Sequence, residues 1–205
     1  MNAEAARTAI QPLFLRIVHW INALAVILMI LSGWRIYNAS PLFGFEFPAG
    51  FTLGGWLAGA LAWHFAAMWL LGINLVVYLL YGFLTGHFRR RLLPLWPGLV
   101  WRDLRLVMSG RAAHVPGRYN AAQRAMYVFA LLALALAILS GVAIWKPVQM
   151  QELTALMGGF EAARRVHFFA MAALVLFIVA HVAMALSAKE TLEAMVTGGR
   201  EKASK

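Results

Sequence analysis

Four histidines lie where a histidine is costly. His19, His64, His167 and His181 fall in long apolar runs. The other two of the six, His87 and His114, sit in a basic stretch and are expected to be ordinary solvated or interfacial side chains. An imidazole at membrane depth needs a partner and marks a functional site by default. Four of them, spread over three runs, ask for a shared role. His167 and His181 are 14 residues apart. On a helix that spacing returns to nearly the same face, about 40° off, and separates the two rings by roughly 21 Å along the axis. One helix then presents two imidazoles to one interior, one toward each leaflet.

Depth assigns their partners. His64 precedes Arg89 by 25 residues and His167 precedes Lys189 by 22, or about 37 and 33 Å of helix, so both lie far from that basic boundary. His19 closely follows Arg16, and His181 lies eight residues before Lys189, so both lie near it. The expected pairs are His64 with His167 and His19 with His181. Two facing imidazoles from different helices can ligate an iron axially, and haem suits an apolar four-helix interior. The expectation is two non-covalent b haems. Zinc fits less well, because each pair supplies only two ligands and no carboxylate or thiolate is near. The absence of cysteine excludes covalent haem attachment, disulfides and thiolate-bound clusters. Gly33, Gly72 and Gly141 are candidates for making room for flat cofactors, and close helix packing is the equal alternative.

The elements that position these residues must be membrane helices. Hydrophobic residues make up 62% of the 205, and charged residues 13%, about half the charge of a soluble domain. Four stretches can span a bilayer, with helices expected at about 13–37, 53–84, 122–145 and 163–188. The fold class is therefore all-α, an integral membrane four-helix bundle forming one domain, 1–205. The first run is expected to be a retained span rather than a cleaved leader, since it is long and would carry His19 away. No internal repeat is evident.

Net charge is +10, concentrated between the spans. Arg89, Arg90, Arg91, Arg102, Arg105, Arg111 and Arg118 lie between the second and third spans against a single acid, Asp103. This pattern sets topology rather than binding nucleic acid. It predicts that both termini and the 83–123 loop are cytoplasmic and that the 38–53 and 147–163 loops face outward. Within the basic loop, 97–109 reads as an interfacial helix. Leu99, Val100, Trp101, Leu104 and Val107 would meet lipid, while Arg102 and Arg105 reach the headgroups. The histidine pairs then become an outer one, His64–His167, and an inner one, His19–His181.

The motifs resemble a known group. Arg16-Ile-Val-His19-Trp20 with Ser32-Gly33 is one. Gly117-Arg118-Tyr119-Asn120 with Gln123-Arg124, Ser140-Gly141 and Trp145-Lys146-Pro147 is another. Val166-His167-Phe168 with Val179-Ala180-His181, and the tail Lys189-Glu190-Thr191, complete the set. Together they resemble the bacterial membrane cytochrome b superfamily of formate dehydrogenase gamma subunits, nickel–iron hydrogenase cytochrome b subunits and cytochrome b partners of molybdopterin oxidoreductases. The resemblance implies the same four haem ligands and a quinone pocket at Asn120 beside the inner haem, taking ubiquinone or menaquinone. Ala122 stands where the gamma subunits carry glycine, a departure in that pocket. It also implies a bacterial inner-membrane location and a periplasmic partner, with a molybdopterin oxidoreductase favoured by the 32–54 segment. Haem propionates need cations or donors at the membrane edge. Arg16, Arg118 and Arg124 are the inner candidates, and Arg35, Arg164 and Arg165 the outer ones. The expected function is electron transfer between the quinone pool and that partner. The competing readings are a stand-alone superoxide-oxidising quinone reductase and a histidine-relay proton or ion carrier.

Overall fold

Apolar runs of this length become helices because only a backbone that satisfies its own hydrogen bonds is stable in lipid. The computed structural model describes residues 12–86, 88, 95–109, 120–187 and 189–198. Every regular element among them is helical: α1 (Leu13–Ala39), a 3₁₀ turn (Ala49–Phe51), α2 (Leu57–Leu84), α3 (Pro97–Met108), α4 (Ala121–Trp145), α5 (Gln151–Leu156), α6 (Phe160–Ser187) and α7 (Lys189–Thr197). The helices α1, α2, α4 and α6 have 25 to 28 residues, long enough to cross a hydrocarbon core about 30 Å thick. Large apolar side chains such as Ile73, Leu80, Leu132 and Leu176 stand exposed along them. A polypeptide in water would bury these; in lipid they are the outer surface.

The spans fall where expected, and their differing ends have local causes. α2 begins at Leu57 rather than 53 because Gly54 and Gly55 adopt φ of +107° and +69°. A Cβ on Gly54 would collide with the backbone of Ala60, so a glycine turn delays the helix. α6 starts at Phe160, earlier than 163, directly after Gly158 and Gly159 at φ +88° and +94°. α3 ends one residue short of the expected interfacial segment. The short helix α5 lies in a stretch expected to be loop.

The chain forms two compact units. The first comprises Met1–Gly86 with Glu193–Lys205. Here α1 and α2 pair antiparallel: Phe14 and Tyr81 rings meet at 4.4 Å, and the Leu53 N–H donates to Leu31 O at 3.0 Å at the other end. Between them the buried Asn74 amide donates to Val18 O at 2.8 Å and to Asn22 Oδ1 at 2.7 Å. Such a polar lock fixes helix register where hydrophobicity cannot, since lipid is as apolar as the interface. The C-terminal end of α7 belongs to this unit. Arg16 donates to Met195 O and Val196 O, and Trp20 Nε1 to Met195 O at 3.1 Å. These donors satisfy carbonyls that the last helical turn leaves open, at its negative end.

The second unit, His87–Leu192, contains α3, α4, α5 and α6. Asp103 on α3 reaches the N-terminus of α4, where its Oδ2 accepts the Ala121 N–H at 2.8 Å, and its Oδ1 pairs with Arg102 at 3.0 Å. The Ala121 N–H, aided by Arg102 and opposed by burial, holds this carboxyl below the ordinary aspartate range. A depressed pKa contributes stability above the unfolded value, and that contribution is lost as pH falls through the folded one. Asp103→Ala should therefore lower the melting temperature by a few degrees at pH 7. The gap from the parent protein should close as pH drops below about 4. A gap that stays constant to pH 3 would show that the carboxylate contributes nothing through its charge.

Candidate haem-binding site

Each unit builds the surroundings of one histidine from its own helices. In the first, Ser32 on α1 meets His64 on α2, with Oγ 3.0 Å from Nδ1. In the second, Ser140 on α4 meets His167 on α6 at 3.1 Å, and His167 Nδ1 also lies 2.9 Å from Ala137 O. The glycine after each serine faces the same ring. A Cβ on Gly33 would come within 3.4 Å of His64 Cε1, and one on Gly141 within 3.1 Å of His167 Cε1. These two glycines therefore admit an imidazole close to the helix backbone. A Cβ on Gly72 would meet nothing within 4 Å.

The partners determine which nitrogen carries the proton. A carbonyl oxygen only accepts, so Nδ1 of His167 is the N–H that donates to Ala137 O. Ser32 and Ser140 each have one hydroxyl hydrogen, which goes to the carbonyl one turn back, Leu28 O and Leu136 O, both at 2.6 Å. Their oxygens are then acceptors for Nδ1–H of His64 and His167. In both rings the lone pair is left on Nε2, the tautomer a metal ligand needs. His64 and His167 thus fit the role of haem-iron ligands, each through Nε2.

The other two histidines have aromatic neighbours. His181 stacks on Phe177 at 5.5 Å, and His19 meets Trp20 edge-on at 5.3 Å. Each expected pair draws one histidine from each unit. His64 and His19 come from the first, His167 and His181 from the second.

Two buried donors have no hydrogen-bond partner among the described residues, Trp34 Nε1 and Arg124 Nε. Orphaned buried donors are uncommon in proteins, and a carboxylate-bearing cofactor would satisfy them. Arg124 was an expected propionate partner. Trp34, which stacks on Phe47 at 4.6 Å, was not; only its position beside Ser32-Gly33 could have drawn attention to it. Arg16 is committed to the α7 carbonyls and Arg164 to Glu161 at 3.0 Å. Arg35 and Arg165 stand near the ends of α1 and α6 with no ion-pair partner among the described residues. Arg118 and the remainder of the Gly117–Tyr119 motif lie outside the described residues.

Asn120 is the N-cap of α4. Its Oδ1 accepts the Gln123 N–H at 2.8 Å, while Gln123 Oε1 accepts the Asn120 N–H at 3.0 Å, a complete capping box. The acceptor half of its side chain is therefore spent on the helix, which leaves the amide NH₂ as its recognition group.

Four apolar helices, two of which carry a histidine in the tautomer that binds iron, describe a membrane b-type cytochrome. The family model for prokaryotic cytochrome b561 matches residues 10–198, and the chain belongs to that family. A protein of Azospira oryzae named as the YedZ1 subunit of a protein-methionine-sulfoxide reductase is 48% identical over 191 residues, which cover 93% of this chain and 96% of that one. The cytochrome b556(fdo) subunit of Escherichia coli formate dehydrogenase is 30% identical over 89% of this chain and 81% of its own length. A Bradyrhizobium diazoefficiens chain named as a Ni/Fe-hydrogenase B-type cytochrome subunit is 24% identical over 91% of this chain and 83% of its own. The chain is thus a multi-pass membrane cytochrome that carries haem b and transfers electrons in association with oxidoreductases.

Proposed function

We propose that this chain is a di-haem subunit linking the quinone pool of a bacterial inner membrane to a periplasmic oxidoreductase of the molybdopterin type, one that reduces methionine sulfoxide in proteins. The observation that carries the haem reading is the repeated Nδ1 arrangement, and the count of two follows from the register of the second histidine pair. That arrangement prepares a histidine in each unit as an iron ligand, while His19 and His181 supply a second pair by helix register. When bound, haem b supplies one-electron ferric–ferrous exchange. His64 and His167 hold the haem near the outward loops, and His19 with His181 the one near the cytoplasmic side. This orientation rests on the arginines of the 83–123 loop.

The residues of the chain do the rest. Asn120 directs its amide toward a quinone carbonyl, and Arg124, whose buried Nε lacks a partner among the described residues, stabilises negative charge developing there. Arg124 also serves a propionate if the two groups meet at this end. Ubiquinone and menaquinone present the same carbonyl chemistry to these donors. The partner assignment follows the Azospira relative, whose identity extends over nearly all of both chains.

The test is electron delivery. Membranes containing the chain are reduced with a quinol analogue, and the partner that co-purifies with it is offered a methionine-sulfoxide peptide. Haem absorbance should return to the oxidised form only when chain, partner and sulfoxide are all present. Reoxidation by oxygen alone, with no partner co-purifying, would reject the partner half. Failure of quinol to reduce a fully haem-loaded chain would reject the quinone half.

A further inference from the structure

The same arrangement occurs twice, although no repeat is evident in the sequence. A Ser-Gly pair on the first helix of each unit's helix pair, Ser32-Gly33 on α1 and Ser140-Gly141 on α4, faces a histidine on the second, His64 on α2 and His167 on α6. We propose that Ser32 and Ser140 are a matched pair of positioning residues that lock both ligands of one haem in the same tautomer and lower that haem's reduction potential. The inference rests on the di-haem reading and names what tunes one of its two sites.

The physical chain is short. Each serine hydroxyl donates to a carbonyl of its own helix at 2.6 Å. That donation polarises its oxygen and makes it a better acceptor for the imidazole Nδ1–H. An imidazole that gives up hydrogen-bond density at Nδ1 becomes a more basic ligand at Nε2. A more basic ligand favours the ferric ion. Two such ligands on one iron add in the same direction. The glycine after each serine lets the ring approach closely enough for the bond to form, since at Gly141 a Cβ would stand only 3.1 Å from His167 Cε1. Ser32 and Ser140 bond the rings of His64 and His167, so the serine pair addresses the haem those two histidines would hold.

The experiment uses the purified full-length, haem-loaded chain. Haem is counted by pyridine haemochrome, midpoints are read by potentiometric titration, and ligand geometry by low-temperature electron paramagnetic resonance. The component missing in His167→Ala marks the relevant haem. Ser32→Ala and Ser140→Ala should each raise the reduced-to-oxidised ratio of that component by about threefold to tenfold at fixed ambient potential. The upper figure corresponds to about 59 mV for a one-electron couple. The resonance signal of that component should move, and the other should stay. Ser140→Ala keeps the Ala137 carbonyl as acceptor, so its effect should be the smaller part of that range. Ser32→Thr restores a hydroxyl and should restore the parent midpoint. Haem loss in Ser32→Ala with retention in Ser32→Thr would also support the proposal. Two haems retained with neither midpoint nor signal moved, a shift confined to the other component, or haem loss in Ala and Thr variants alike would overturn it. Fewer than two haems in the parent protein would instead overturn the di-haem reading, whatever the serines do.

Discussion

Replacing His64 with alanine should cost the protein one of two haems, and replacing His167 should remove the same one. His19→Ala and His181→Ala should remove the other. The effect is all-or-none for each site because a ligand lost from an axial pair leaves a single bond to hold a non-covalent cofactor. The serine lies on the Nδ1 side of each ring and cannot replace a ring nitrogen. The pairing follows from the register of the sequence, which predicts one depth for His64 and His167 and another for His19 and His181. Haem-to-protein ratios should fall from about two to about one in every single variant. The double variant His64→Ala/His167→Ala should still hold one. Redox titration decides the pairing. If His64→Ala and His181→Ala eliminated the same component, the register argument would fail. The structural cost of each variant is separable, because Asn74 continues to tie α2 to α1 through Val18 and Asn22. A variant that misfolds would lose both haems rather than one.

The second large effect concerns quinone exchange at the start of α4. Asn120 has two roles that a single substitution would confound. Its Oδ1 caps the helix, and its NH₂ is the proposed quinone donor. Asn120→Asp separates them. Aspartate is as good a cap as asparagine and suits the positive end of the helix, but in its ionised form it has no donor. Asn120→Asp should therefore keep stability and both haems while slowing quinol-driven haem reduction by about 100-fold, the usual loss for one preorganised donor at a site of developing charge. Asn120→Leu should lose both cap and donor, with about 1 kcal/mol of stability lost besides. Unchanged reduction kinetics in Asn120→Asp would leave Asn120 as a cap only and put the quinone elsewhere. Arg124→Gln is the companion variant. Its buried Nε has no partner among the described residues, so removal of the guanidinium should affect exchange more than folding.

Asn120 shows why a residue type in a motif underdetermines its role. Asparagine before an apolar run reads equally as a helix cap and as a polar recognition group. The reciprocal bonds with Gln123 establish the first role, and they restrict the second to one half of the side chain. Arg16 behaves similarly. From its place at a span boundary it could serve a propionate, yet it lies on the carbonyls of a helix some 180 residues later in the chain. No local pattern announces that contact.

The sequence by itself determined the four spans and the short helix near 97–109, and it singled out four histidines, because these depend on one-dimensional quantities. Hydropathy over about 20 residues measures transfer into lipid, and a histidine's distance from a basic boundary measures its depth. The tertiary structure decided the surroundings of two of those histidines. Ser32 is 32 residues from His64, and Ser140 is 27 from His167. Only the packing of α1 on α2 and of α4 on α6 brings each hydroxyl to its ring and assigns the proton to Nδ1. The glycines became legible for the same reason. Gly33 and Gly141 read along the chain as room for a cofactor or for close helix packing, and in the packed helices each leaves room for an imidazole. In lipid no hydrophobic force selects one helix face over another. Register therefore depends on a few polar contacts such as Asn74 with Asn22 and Ser32 with His64, and a linear pattern does not reveal which side chains will meet.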